Sequence, residues 1–109
     1  MSPLRIAFLS AAASLVAVAA LATTHTVNVQ DNSFSPHDLT ICLGDTVTWK
    51  NNDGTTHTAS KTGGPGPNFD TGNISSGGTS APVAFNTAGA MSYRCNIHNN
   101  MTGTIQVNA

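Results

Sequence analysis

Charge is scarce in this chain. Only 8% of the residues are charged, and the formal net charge is −1. No basic footprint exists to follow a phosphate backbone, which argues against nucleic acid as a partner. Cysteine is limited to Cys42 and Cys95, a number that allows one disulfide at most. After residue 22 no apolar pattern of helical period occurs, and there is no internal repeat. Tracts rich in Met or His are missing, as is any Ser-His-Asp or paired-carboxylate arrangement. What remains is a chain of 109 residues, enough for one small domain.

The beginning reads as a segment apart. Met1-Ser-Pro-Leu-Arg5 is a short basic start, Ile6 to Ala22 is an apolar run, and Ala20-Leu21-Ala22 has the small-x-small form of a cleavage site. These are the three parts of a secretory signal peptide. The alternative is a retained anchor, but the run sits at the lower limit for a spanning helix and no basic cluster follows it. The expected organisation is therefore a signal peptide over 1–22 and a single domain over 23–109, exported to the periplasm or the extracellular space, with no stable membrane insertion after cleavage. No Cys lies near the cleavage site to carry a lipid. Loss of Arg5 leaves Lys50, Lys61 and Arg94 against Asp31, Asp38, Asp45, Asp53 and Asp70, a weakly acidic surface.

From Thr24 onward the pattern is strand, turn, strand. His25 to Gln30, Leu39 to Leu43 and Thr46 to Lys50 alternate apolar and polar residues, the two-residue period of half-buried strands. Phe34 and Pro36 read as an irregular link, and Lys61 to Ser80, rich in Gly, Ser, Thr, Asn and Pro, as a long surface loop. A short strand is expected through Ala59, and further strands over Ala81 to Phe85, Met91 to Cys95 and Thr104 to Val107. Many short strands with Gly- and Asn-rich turns indicate an all-β sandwich or barrel. The alternation turns Met91, Tyr93 and Cys95 inward and Cys42 outward.

The chemistry lies in Tyr93-Arg-Cys-Asn-Ile-His-Asn-Asn-Met-Thr102, where Cys95, His98 and Met101 are spaced C-x2-H-x2-M. A thiol, an imidazole and a thioether form a soft donor set suited to copper. They converge on one ion only if the loop folds back on itself. His57, delivered by the turn Asn51-Asn-Asp-Gly54, is the natural fourth ligand. Two His, one Cys and a weak axial Met make a blue-copper electron-transfer site. With Cys95 committed to metal, Cys42 has no disulfide partner. It is then either a reactive surface thiol or a buried inert one.

The stretch from about Thr24 to Val107 resembles the plastocyanin/amicyanin family of type 1 copper proteins. The likeness is carried by Phe34-Ser-Pro36, Gly44-Asp-Thr-Val-Thr-Trp49, His57-Thr58, Phe69-Asp70-x-Gly72, Phe85 to Gly89, Tyr93-x-Cys95-x-x-His98-x-x-Met101 and Gly103-Thr-Ile-x-Val107. The resemblance implies a Greek-key β-sandwich (cupredoxin-like) of about seven to eight strands. It implies one copper ion, cycling between Cu(I) and Cu(II), on His57, Cys95, His98 and Met101. It also implies a monomer that passes single electrons between redox proteins docking near His98. The short ligand loop is the amicyanin form, since plastocyanins usually have two more residues before the Met. Thr58 stands where both groups have Asn, Met91 where Tyr is frequent, and the Lys61 to Ser80 loop lacks the acidic patch of plant plastocyanins.

Three functions compete for such a site. Electron transfer is favoured. Copper carriage or sequestration would be served by exposed Met- or His-rich tracts, which the chain lacks. Catalysis would need an open coordination position or a second metal. His25 and His37, the remaining histidines, read as a strand-edge and a loop residue, so the chain reads as a non-enzyme.

Overall fold

Val27 and Val29 point into the core while Thr26 and Asn28 stay outside, and the same alternation organises most of the chain. The structure, a computed structural model, describes residues 21–109. Among the described residues there are eight strands and no helix: β1 (Thr24–Gln30), β2 (Ser33–Ser35), β3 (Asp38–Cys42), β4 (Thr46–Asn51), β5 (Ser60–Gly63), β6 (Val83–Ala84), β7 (Gly89–Arg94) and β8 (Thr102–Asn108). The signal-peptide segment lies, apart from its last two residues, outside the described residues.

The strands form two four-stranded sheets, ordered β2-β1-β4-β6 and β3-β8-β7-β5. Each sheet is mixed. β1 runs parallel to β4, and β3 parallel to β8, while the other pairs are antiparallel. Parallel neighbours cannot be joined by a hairpin, and the chain changes sheet at every connection from β2 to β7, leaving only β1–β2 and β7–β8 joined within one sheet. The expected all-β sandwich is what the chain forms.

An aromatic cluster fills the space between the sheets. Phe34 from β2 meets the edge of Tyr93 from β7 at 4.7 Å between ring centroids. Trp49 from β4 packs edge-on against Tyr93 at 5.4 Å and stacks on Phe69 at 5.7 Å. Edge-to-face and offset geometries are those that aromatic quadrupoles favour. Phe69 and Ile74 both belong to the 61–80 stretch, so that segment is anchored to the core by its two large apolar side chains.

Three details depart from the sequence reading. Phe34 is not in an irregular link: Ser33–Ser35 pairs with β1, with Val29 opposite Phe34. The segment after His57 is not a strand through Ala59. His57 forms only an isolated bridge, and strand pairing begins at Ser60. The long loop is more ordered than its composition predicts, because Ser60–Gly63 pairs with β7 and bridges join Ser60 to Asp70 and Lys50 to Thr79. In each case a neighbouring strand supplies the hydrogen-bond partners, overriding weak local propensity.

At the end of the sandwich away from the C-x2-H-x2-M loop, Asp45 ties three segments together. Its buried carboxylate accepts the amide N–H of Thr23 at 3.0 Å, the N–H of Cys42 at 3.0 Å, and contacts Nε2 of His25 at 2.9 Å. These bonds, Thr23 first, then His25 and Cys42, lower its pKa to about 2. The two cysteines are both free, Cys42 exposed and Cys95 buried.

Candidate metal centre

Cys95 follows the last residue of β7, and its parity with Met91 and Tyr93 buries its side chain. From there the chain turns back on itself. Met101 donates its N–H to the His98 carbonyl at 2.9 Å, and Cys95 donates its N–H to the Met101 carbonyl at 3.0 Å. The seven-residue motif is thus a closed loop between β7 and β8, as the sequence requires if its donors are to converge. Met101 is buried and His98 half-buried.

His57 arrives on the connection from β4 to β5. Asn51, fully buried at the end of β4, holds the approach with its side chain. Its Nδ2 donates to the carbonyls of Thr55 at 2.7 Å and Ile74 at 2.8 Å, and its Oδ1 accepts the N–H of Asp53 at 2.9 Å. This Asx turn fixes the Asn51-Asn-Asp-Gly54 segment. His57 itself is locked by a reciprocal pair with Ile74, Ile74 N–H to His57 O at 2.7 Å and His57 N–H to Ile74 O at 3.2 Å.

The side chains of His57, Cys95 and His98 meet, with one donor atom from each lying within 4.8 Å of the others. Nδ1 of His57 is 3.7 Å from the Cys95 sulfur, and Nδ1 of His98 is 3.9 Å from it. Metal–imidazole and metal–thiolate bonds of about 2.0 and about 2.3 Å meeting at about 120° would place nitrogen and sulfur about 3.7 Å apart. The observed spacing therefore fits one ion between the three donors without rearrangement. The two rings lie 4.9 Å apart between centroids. A soft thiolate and two imidazoles suit copper, and Met101 lies buried in the same loop.

The electrostatics favour a thiolate. Burial opposes ionisation of Cys95, but the N–H groups of Thr58 and His98 and the two imidazoles outweigh it, lowering the thiol pKa to about 6. The Thr58 N–H lies 3.3 Å from the sulfur. Thr58 also uses its hydroxyl, accepting the Asn96 N–H at 2.8 Å and meeting Ser60 Oγ at 3.2 Å. Ser60 Oγ in turn donates to Asp70 at 3.0 Å and accepts from Asn96 Nδ2 at 2.9 Å. The hydroxyl at position 58 thus binds the Cys loop.

Sequence reasoning placed Asp53 in a turn and gave it no role. In the structure its carboxylate meets Nε2 of His57 at 2.8 Å. Burial raises its pKa, but bonds from the N–H groups of Asn32 and Asp31, and from His57, hold the carboxyl below the usual range. The signal was present as an Asp four residues before the candidate ligand, although only the fold aims it. His25 and His37 lie outside the cluster, paired with Asp45 and Asp38.

The comparisons with known proteins agree with this geometry. The family of copper binding proteins, plastocyanin/azurin family, matches residues 21–108. The chain belongs to that family. Its cofactor is one copper ion. Solved structures of amicyanin variants share the fold. A reduced Cu(I) form at pH 4 of a proline-to-glycine variant is 25% identical, with 84% of this chain and 86% of that one covered at a TM-score of 0.70. An oxidised methionine-to-leucine variant is 22% identical, with 77% and 81% covered at 0.70. An oxidised proline-to-alanine variant is 23% identical, with 78% and 82% covered at 0.71. No curated protein sequence matches the chain.

Proposed function

We propose that this cupredoxin is a one-electron carrier whose copper is held by His57, Cys95, His98 and Met101. The observation that carries the reading is the convergence of Nδ1 of His57, Sγ of Cys95 and Nδ1 of His98 at a spacing that fits one ion. When bound, copper supplies reversible one-electron chemistry through a covalent thiolate bond. The protein supplies rigidity. His57 is pinned by the Ile74 pair and Cys95 by the closed loop, so neither donor has to move when the charge on the ion changes. Little reorganisation means little barrier to transfer. Met101, buried in the same loop, would add a weak thioether donor.

His98 is the ligand nearest to solvent, and Ile97 beside it is 49% exposed. We assign this edge as the place where redox proteins dock and the electron leaves. Cleavage after Ala22 and export complete the proposal. Among the described residues no helix is long and apolar enough to cross a membrane. A non-enzymatic role belongs to the same reading, since four protein donors would leave the ion no open position for a substrate.

The deciding experiment adds one equivalent of Cu(II) to the purified domain, then ascorbate, and records the visible spectrum. The expected result is an intense thiolate-to-copper charge-transfer band that bleaches on reduction and returns on oxidation. It should be absent from Cys95→Ser. Tight copper binding without that band would instead favour a carrier or sequestration protein.

A further inference from the structure

One carboxylate links the candidate ligand His57 to a distant turn. The β1–β2 connection is made by Asp31 and Asn32, both left-handed, with φ of 54° and 53°. That conformation is costly for residues other than Gly, and Asn and Asp tolerate it best. It turns two successive amide N–H groups toward the 51–57 segment. Asp31 N–H donates to Asp53 Oδ1 at 2.7 Å and Asn32 N–H to Asp53 Oδ2 at 3.0 Å. The same Oδ2 lies 2.8 Å from Nε2 of His57. Asp53 is held from its own side as well, since its N–H donates to Asn51 and its carbonyl accepts Ser76 Oγ at 2.6 Å. The carboxylate therefore has no freedom to follow the imidazole. The imidazole must follow it.

We propose that Asp53 is a positioning residue for His57, and that the left-handed Asp31-Asn32 turn is its anchor. The inference rests on the copper reading above. An acceptor-only carboxylate at Nε2 requires that nitrogen to carry the ring proton, which leaves the Nδ1 lone pair free on the side facing Cys95. A carboxylate behind a ligating imidazole also raises ligand basicity and fixes ring orientation. An anion so placed favours the more highly charged Cu(II) over Cu(I), so Asp53 lowers the reduction potential. The turn transmits its conformation to the site through two N–H bonds, although neither Asp31 nor Asn32 is near the metal donors in sequence.

The test uses Asp53→Ala, Asp53→Asn and, remote from the site, Asn32→Val, whose β-branched side chain disfavours a left-handed backbone. In the metal-free protein, nitrogen NMR of the neutral His57 ring should show a single Nε2–H tautomer in the wild type and a mixture in Asp53→Ala. In the copper-loaded protein the potential should rise in Asp53→Ala and Asp53→Asn. Asn32→Val should shift it in the same direction by a smaller amount. An unchanged tautomer in the metal-free Asp53→Ala protein, or an unchanged potential in Asp53→Asn, would overturn the proposal. A wild type that binds copper without the charge-transfer band would overturn the copper reading instead, and the metal-free tautomer would still report on Asp53.

Discussion

The hydroxyl of Thr58 accepts the amide N–H of Asn96 at 2.8 Å, joining the residue after His57 to the residue after Cys95. Two loops that carry candidate ligands, one between β4 and β5 and the other between β7 and β8, are thereby fastened by one buried hydroxyl. Thr58→Val preserves shape and removes that acceptor. The expected cost is about 1–2 kcal/mol of stability, that of an amide left without its partner, with faster hydrogen exchange at Asn96. Thr58→Ser should keep both the stability and the protection. Unaltered exchange at Asn96 in the Val variant would show that the loop is held by other bonds.

Tyr93 and Gly103 face each other across β7 and β8, paired in register. The Tyr93 ring covers the glycine, and a Cβ built there would lie 2.5 Å from the ring. Gly103→Ala should therefore destabilise the fold by about 1–3 kcal/mol through overpacking. The midpoint of denaturant unfolding should fall while the slope stays constant. An unmoved midpoint would mean that the ring can slide aside.

Asp45 gives the fold a definite acid limit. Its folded-state pKa, about 2, lies below the ordinary 3.8. The stabilisation is thus fully present above about pH 4 and is lost as pH falls towards 2. Asp45→Asn should be less stable than the wild type at neutral pH, and the two unfolding curves should converge in strong acid. A constant difference down to pH 2 would assign the effect to packing.

Much of this was legible in the sequence because it follows the strand period. Cys95 sits two residues after Tyr93 and four after Met91, so alternation alone buried it, and the return of the loop followed from the need for its donors to meet. The turn at Asn51 was legible from composition. What escaped depends on partners far along the chain. Phe34 became a strand because β1 was there to pair with it. Ser60–Gly63 took its register from β7 despite a Gly- and Thr-rich composition. Asp53 reached His57 only because two amides from residues 31 and 32 aim its carboxylate, a geometry no local pattern encodes.

The amide of Thr23 donates to Asp45, and Thr23 is the residue that proposed cleavage after Ala22 would make first in the chain. Processing there would convert a neutral donor into an ammonium ion resting on a carboxylate. Charge-assisted bonds of that kind are roughly twice as strong as neutral ones. Maturation would then finish the fold as well as release it, locking β1 beside β4 at the moment the leader departs. The precursor would be the looser molecule and the processed protein the tighter one.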